Sequence, residues 1–372
     1  MMKLRTFGRS GAAALLVSAL LHPDAGAQAR WRLQEIARVG GAEEGLTSFN
    51  EIRDLQLDAK GQVWVLDAQV QSLRLIAADG KSVRELGRKG KGPGEITQAN
   101  GIQRAPDGRM VLRDHSNGGF QLYNPDGSEA GRVLVNFGGY GYWWIAGIDS
   151  AARVAEDWSV RRGTDEAVPA LIRRTLSGAT IDTVDRPAGC ESRPLGKGYI
   201  RFRNGFSSIP FYPEVRLAFA PSGALWCGRN DEYLFRRFAL GATAAEVEVR
   251  GRPATIPLSR FERDSALEVV DSTIRARGGA VEPWSKSMMP KARPAIRRIE
   301  SDDEGRLWVL RESPTGPLEL DVWDARGRRL AVLTTPFRRR DMSLFRVYRD
   351  RIAMRVLDEN DVPTIVIARI VR

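Results

Sequence analysis

IRDLQLDAKGQVWVLDAQVQSLRLIAADGKSVRELG, residues 52–87, and ANGIQRAPDGRMVLRDHSNGGFQLYNPDGSEAGRVLV, residues 99–135, are two copies of one pattern. Each alternates short β-rich apolar segments with polar, glycine-bearing turns. In register, Gly61 matches Gly108, and Val63-Trp64-Val65-Leu66-Asp67 matches Met110-Val111-Leu112-Arg113-Asp114. Asp79-Gly80 likewise matches Asp126-Gly127, and the offset from Gly61 to Gly108 is 47 residues. Four short antiparallel strands fill such a period, and a repeat of roughly 40–50 residues built this way is a propeller blade. An open β-sandwich array is the alternative, but it leaves strand edges exposed that a closed ring removes.

Working outward, looser copies occupy residues 143–187, 215–251, 295–336 and 344–371. Gly305 takes the place of Gly61, Trp308 that of Trp64, and Gly327 that of Gly80. The last copy has room for only three strands. RLQEIARV, residues 32–39, precedes the first copy and is free to complete the last as its outer edge. The expectation is an all-β, six-bladed propeller closed by its N-terminal strand. Two stretches break the repeat. Residues 188–212, rich in Gly, Pro and aromatics, read as a long ordered loop. Residues 257–293 carry Leu258, Phe261, Ala266 or Leu267, Val270 and Ile274 at helical spacing, with Gly278-Gly279 as the stop. They predict one amphipathic helix inserted between blades four and five.

Residues 1–29 read as a signal peptide: Lys3, Arg5 and Arg9 precede the apolar run GAAALLVSALL, and small-x-small patterns follow at Ala25-Gly26-Ala27 and Ala27-Gln28-Ala29. Residues 30–372 are then the propeller, exported to the periplasm or beyond, with no further apolar run long enough to span a bilayer. Cleavage lowers the formal net charge from +11 to +9 and takes His22, leaving His115 as the single histidine. Sites built from several histidines are excluded, and two cysteines cannot hold a four-Cys metal centre.

The repeat, the run ending at Asp67, and the segment Gly87-Arg88-Lys89-Gly90-Lys91-Gly92-Pro93-Gly94-Glu95 together resemble the exported six-bladed β-propellers related to the NHL-repeat family. The segment is similar to the G-x-G-x-G-P-G-E-F linker of exported bacterial members, with Ile96 in place of Phe. The resemblance implies a disc with a central channel and a ligand-binding face made by the connections between blades. It implies no activity that transfers residue by residue, because fold does not give function.

Several residues are candidates for that face. Lys89 and Lys91, with free amides around them, are able to cradle an anion; glycines needed for positive φ in a tight linker are the alternative. His115 beside Asp114 is able to do acid–base chemistry, although the repeated Asp67 and Asp114 fit turn caps. Tyr142, Trp143 and Trp144, with Tyr140, form an aromatic cluster suited to a sugar, a peptide or to packing between blades. Arg113 and Arg229 are its expected polar neighbours. Cys190 and Cys227 are both expected near this face, where an oxidising compartment permits a bridge.

With lysine at only eight positions, arginine supplies 49 of the 57 basic residues, in short turns such as Arg326-Gly327-Arg328-Arg329 and Arg338-Arg339-Arg340. Export and this pattern argue against nucleic acid and favour an anionic polymer or surface, or a plain solvated exterior. The primary expectation is a non-catalytic binding module for a small molecule, glycan, peptide or protein, without a cofactor. The alternative is a lyase or lactonase-type enzyme with an oxygen-ligated divalent metal drawn from Asp67, Asp114, Asp157 and Glu312.

Overall fold

The computed structural model describes residues 29–137, 144–161, 167–191, 198–203, 205–252, 254–313, 315–338 and 342–372. Tyr140, Tyr142, Trp143 and the leader up to residue 28 lie outside them.

In the first repeat, strands Val63–Asp67 and Ser72–Ile76 are buried at every position, whereas Val83–Gly87 is largely exposed. A strand covered on both faces needs a continuous apolar run, which VWVLD supplies; the outer strand meets water and carries charge. With Ile52–Leu57 these strands make a four-stranded antiparallel meander. Three more meanders follow, starting at Ala99–Arg104, Ala146–Ile148 and Val215–Phe219. The strands of residues 296–338 and 342–371 join one eight-stranded sheet.

The first strands are side by side in order. Ile52–Leu57 contacts Ala99–Arg104, and contacts pass through Ala146–Ile148, Val215–Phe219, Ile296–Ser301 and Met342–Tyr348 back to Ile52–Leu57. This closed succession of radial sheets is a β-propeller. Its core is a series of apolar layers between neighbouring sheets. Trp64, Leu75, Ile102 and Tyr123 share one, and Trp226, Phe235, Leu307 and Val309 another. Trp64, Trp226 and Trp308 occupy equivalent second-strand positions and are fully buried.

The turn before that tryptophan repeats as well. The carboxylate of Asp58 accepts the N–H groups of Lys60 and Gln62 and the Trp64 indole, and Asp302 does the same for Glu304, Arg306 and Trp308. Gly61 and Gly305 sit at φ 77° and 75° in these turns, a region that disfavours a side chain.

Two expectations are corrected. The N-terminal strand runs over Ala29–Gly40 and is not an outer edge. Arg32 to Gly40 pair antiparallel with Val371 to Thr364, while Ala29, Arg30 and Trp31 pair parallel with Ala331, Val332 and Leu333. The strand is therefore flanked on both sides, and Trp31 meets Trp308 at 5.9 Å between ring centroids. Residues 188–212 are not simply a loop, since Tyr199–Phe202 and Gly205–Ser208 form a hairpin. The expected helix spans Arg260–Ala276, with a capping box between Ser259 and Glu262. Hairpin and helix pack together: Ile200, Phe202, Ile209, Val270 and Met289 form a separate apolar cluster, a cap beside the ring. No described helix is long and apolar enough to cross a membrane.

Candidate functional site: the central channel

The first strands enclose a cavity of about 520 Å3 along the axis of the ring. Leu55, Ile102 and Ile299 of these strands enter the apolar layers between sheets, while the charged Asp54, Arg298, Glu300 and Arg346 fall on the cavity wall. Arg346 donates through Nη2 to Oδ1 of Asp54 at 2.7 Å and through Nη1 to Glu300, which also takes Arg298. Asp54 accepts the backbone N–H of Ile102 at 3.1 Å on its other oxygen, joining the first strands of two neighbouring sheets. Burial pushes the Asp54 carboxyl up and the Arg298 guanidinium down. Burial also pulls on Arg346, but the carboxylates of Asp54 and Glu300 outweigh it and hold that guanidinium above its usual value.

Of the sequence-predicted residues, Arg113 and Trp144 come together. The Trp144 indole donates to Glu156 at 3.0 Å, and Arg113 lies 3.8 Å from the same carboxylate with its guanidinium 3.9 Å from the Phe137 ring centroid. Arg174 holds the other oxygen of Glu156 at 2.8 Å. Arg113 and Trp144 are 1% and 5% exposed, so their side chains are committed to a buried lattice, with only Trp144 reaching the channel wall. The His115 ring stacks on Phe137 at 6.4 Å at the margin of this lattice. Arg229 is elsewhere, paired with Asp231 at 2.6 Å and Glu232 at 3.5 Å.

Lys89 and Lys91 are exposed on the linker. The amide there that faces inward is filled by the chain itself, as Glu95 accepts Gly92 N–H at 2.8 Å, with Arg88 3.5 Å from its other oxygen. The Gly92 bond, helped by Arg88, lowers the Glu95 carboxyl. Of the linker glycines only Gly94 has positive φ; a Cβ on Gly90 would strike the Glu95 carboxylate, so close approach is the stronger reason for glycine there.

The four carboxylates considered as metal ligands are individually occupied. Asp67 accepts the N–H groups of Asn50 and Glu51, and Asp114 those of Thr97 and Gln98. Each binds backbone about seventeen residues earlier, just before its own first strand, and so tethers that strand; Asp114 also caps its own turn, accepting Asn117 N–H at 3.3 Å. Asp157 is bound by Arg186 at 2.8 Å. Glu312 lies between Arg297 at 3.2 Å and Arg293 at 3.9 Å, and burial raises both carboxyls. Among the described residues no three His, Cys, Asp or Glu side chains group as metal ligands.

Cys190 and Cys227 form a disulfide with Cα atoms 5.8 Å apart, tying the connection after the third meander to the second strand of the fourth. Sequence reasoning missed Asp54, Glu300 and Arg346. The signal was present: charged residues inside first strands, as in IRDLQL and IRRIES, have no place in an apolar layer and must face an axis.

No protein-family model matches the chain, and no curated protein matches it either. Solved structures do. A protein of Bacteroides fragilis described as exported is 11% identical with a TM-score of 0.51, over 92% of this chain and 99% of the other. A DUF4221 family member from Bacteroides vulgatus is also 11% identical, with a TM-score of 0.51, over 91% and 97%. A gluconolactonase from Xanthomonas campestris is 14% identical with a TM-score of 0.44, over 87% of each chain. Likeness at this level of identity concerns the fold alone.

Proposed function

We propose that this chain is an exported, non-catalytic binding propeller of six blades whose ligand enters the central channel. The blade count is supported by the order of the first strands, with the eight-stranded sheet taken as two blades fused along the short parallel pairing of Ala29–Trp31. Export is supported by the leader pattern and by the Cys190–Cys227 bridge, which suits an oxidising compartment.

The observation that carries the binding reading is the axial cavity of about 520 Å3, within the range that holds small ligands, with a polar wall already fixed by internal ion pairs. A wall pre-organised in this way spends little ordering entropy when a ligand arrives. The metal-dependent enzyme reading has less support, because Asp67, Asp114, Asp157 and Glu312 are engaged on separate partners.

The test is a thermal-shift screen against glycans, peptides and small anions, repeated on Gln56→Trp, a bulky side chain at a cavity-wall position outside the apolar layers. A hit should lose its shift in the filled variant. A hit that shifts both proteins equally places binding outside the channel and overturns the reading.

A further inference from the structure

Six arginines line the axial cavity: Arg53, Arg104, Arg216, Arg297, Arg298 and Arg346. Five are neutralised by the protein itself. Arg53 is 2.5 Å from Glu51, Arg216 is 2.8 Å from Glu214, and Arg297 is 3.2 Å from Glu312. Arg298 holds Glu300, and Arg346 holds both Glu300 and Asp54. Arg104 is different. Among the described residues its side chain has no carboxylate within ion-pair distance and makes no hydrogen bond; its guanidinium stacks on an aromatic face. Its guanidinium carbon lies 3.9 Å from the ring centroid of Tyr348, reaching past the end of Ile52–Leu57 from one neighbouring first strand to the other.

That contact leaves a particular kind of donor. Stacking uses the face of the guanidinium and holds it in one plane, while the N–H groups around its edge stay available. An edge of two parallel N–H donors fits a carboxylate better than it fits any neutral group. The same rim carries a second cation, since Arg349 lies 5.2 Å from the Tyr348 centroid and also has no ion pair among the described residues. Asp303, the acid at that rim, accepts the backbone N–H of Arg349 at 2.8 Å and pairs with neither guanidinium. Two cations about one ring, one of them lining the cavity and neither in an ion pair among the described residues, favour an anion from outside the chain.

We infer that the channel takes a small organic carboxylate, with its carboxylate group on the edge of Arg104 and the remainder of the molecule in the axial cavity. The inference rests on the channel-binding reading above and adds the chemical class of the ligand and its anchor. No covalent step is involved.

The test uses the full mature chain, with acetate, succinate and glucuronate as probes and glucose as the neutral counterpart of glucuronate, all at constant ionic strength. Calorimetry and thermal shift should show glucuronate or succinate binding to the wild type and glucose binding at least tenfold more weakly. Arg104→Ala should lose the carboxylate by a factor of roughly ten or more, and Arg104→Lys, which keeps the charge without the fork, should fall between. The unliganded melting temperature of both variants reports their folding independently. The inference is overturned if none of the three carboxylates binds, if glucose binds as well as glucuronate, or if Arg104→Ala binds like the wild type. Gln56→Trp separates the two levels. A neutral ligand blocked by that variant leaves the channel reading standing while the carboxylate assignment fails; a carboxylate that still binds the filled variant removes both.

Discussion

Trp308 in the ring is fully buried between the two halves of the eight-stranded sheet, and the residues it meets come from both ends of the chain. Val270 in the cap is also buried, but on the same helix Phe261 and Val269 are 80% and 60% exposed. The ring covers each sheet on both faces with its neighbours, so no sheet has a complete core of its own. The cap is assembled from two insertions and has one small cluster, open on its outer side. It is joined to the ring where Arg293 meets Glu262 of the helix and approaches Glu312, which Arg297 of the channel wall also holds. The difference teaches where cooperativity resides. The ring should unfold as a unit, because its closure is non-local; the cap should open locally, at lower free energy.

The strongest way to break this comparison is to remove residues 29–40. That deletes the strand between residues 329–338 and 363–371, and circular dichroism should show loss of the whole cooperative transition. A protein that melts normally, with only the last strands exchanging faster, would mean that closure is dispensable.

Arg346→Ala comes next. It leaves Asp54 and Glu300 without their shared partner inside the channel, and breaking such a buried pair costs about 3–5 kcal/mol. Denaturant unfolding should show it in the global transition. Cys227→Ala removes a bridge that closes a 37-residue separation, and the chain-entropy model gives a loss of about 4 kcal/mol. That loss should appear in the ring's single unfolding transition, while exchange in residues 260–276 stays as before.

Ser259→Ala is the smallest substitution. It deletes the helix N-cap, at about 1 kcal/mol, and should raise exchange in residues 260–276 while leaving the ring unchanged.

Acid sharpens the same contrast. The hydrogen bond from Arg293 holds the Glu262 carboxyl below its usual 4.5, so its stabilising effect is complete above that value and is lost as pH falls through the depressed one. Asp54 has the opposite sign: burial raises it, so ionisation opposes the folded state as pH rises past 3.8 and on through its elevated value. Cap exchange should therefore accelerate on acidification before the ring loosens, and Glu262→Gln should flatten that response.

Much of the ring was legible in the sequence because a propeller repeats its local chemistry. Gly61 and Gly305 mark turns in which a side chain would strain the backbone, and the buried second strand must be apolar up to its last residue, as VWVL before Asp67 and LWVL before Arg311 are. The helix was legible from its spacing, its cap and its Gly-Gly stop. The N-terminal strand was legible as a partner for the last repeat, where pairing with residues 364–371 satisfies its backbone.

Other features depend on which distant residues share a space. Arg113 and Trp144 look like surface candidates in the chain, but Glu156, from a different strand, draws both inward. Glu95 fills its own linker because residues 90–95 turn back on themselves. The cap exists only because the third-to-fourth and fourth-to-fifth connections pack against each other, and neither sequence alone points to the other. The channel network joins Asp54 to Arg346 across 292 positions. The sequence by itself determined the repeat, the turns and the helix, since these follow from propensity and apolar period over a few residues. The tertiary structure decided which charges neutralise one another on the axis and which, at Arg104, does not, because that depends on where six separate strands bring their alternate side chains together.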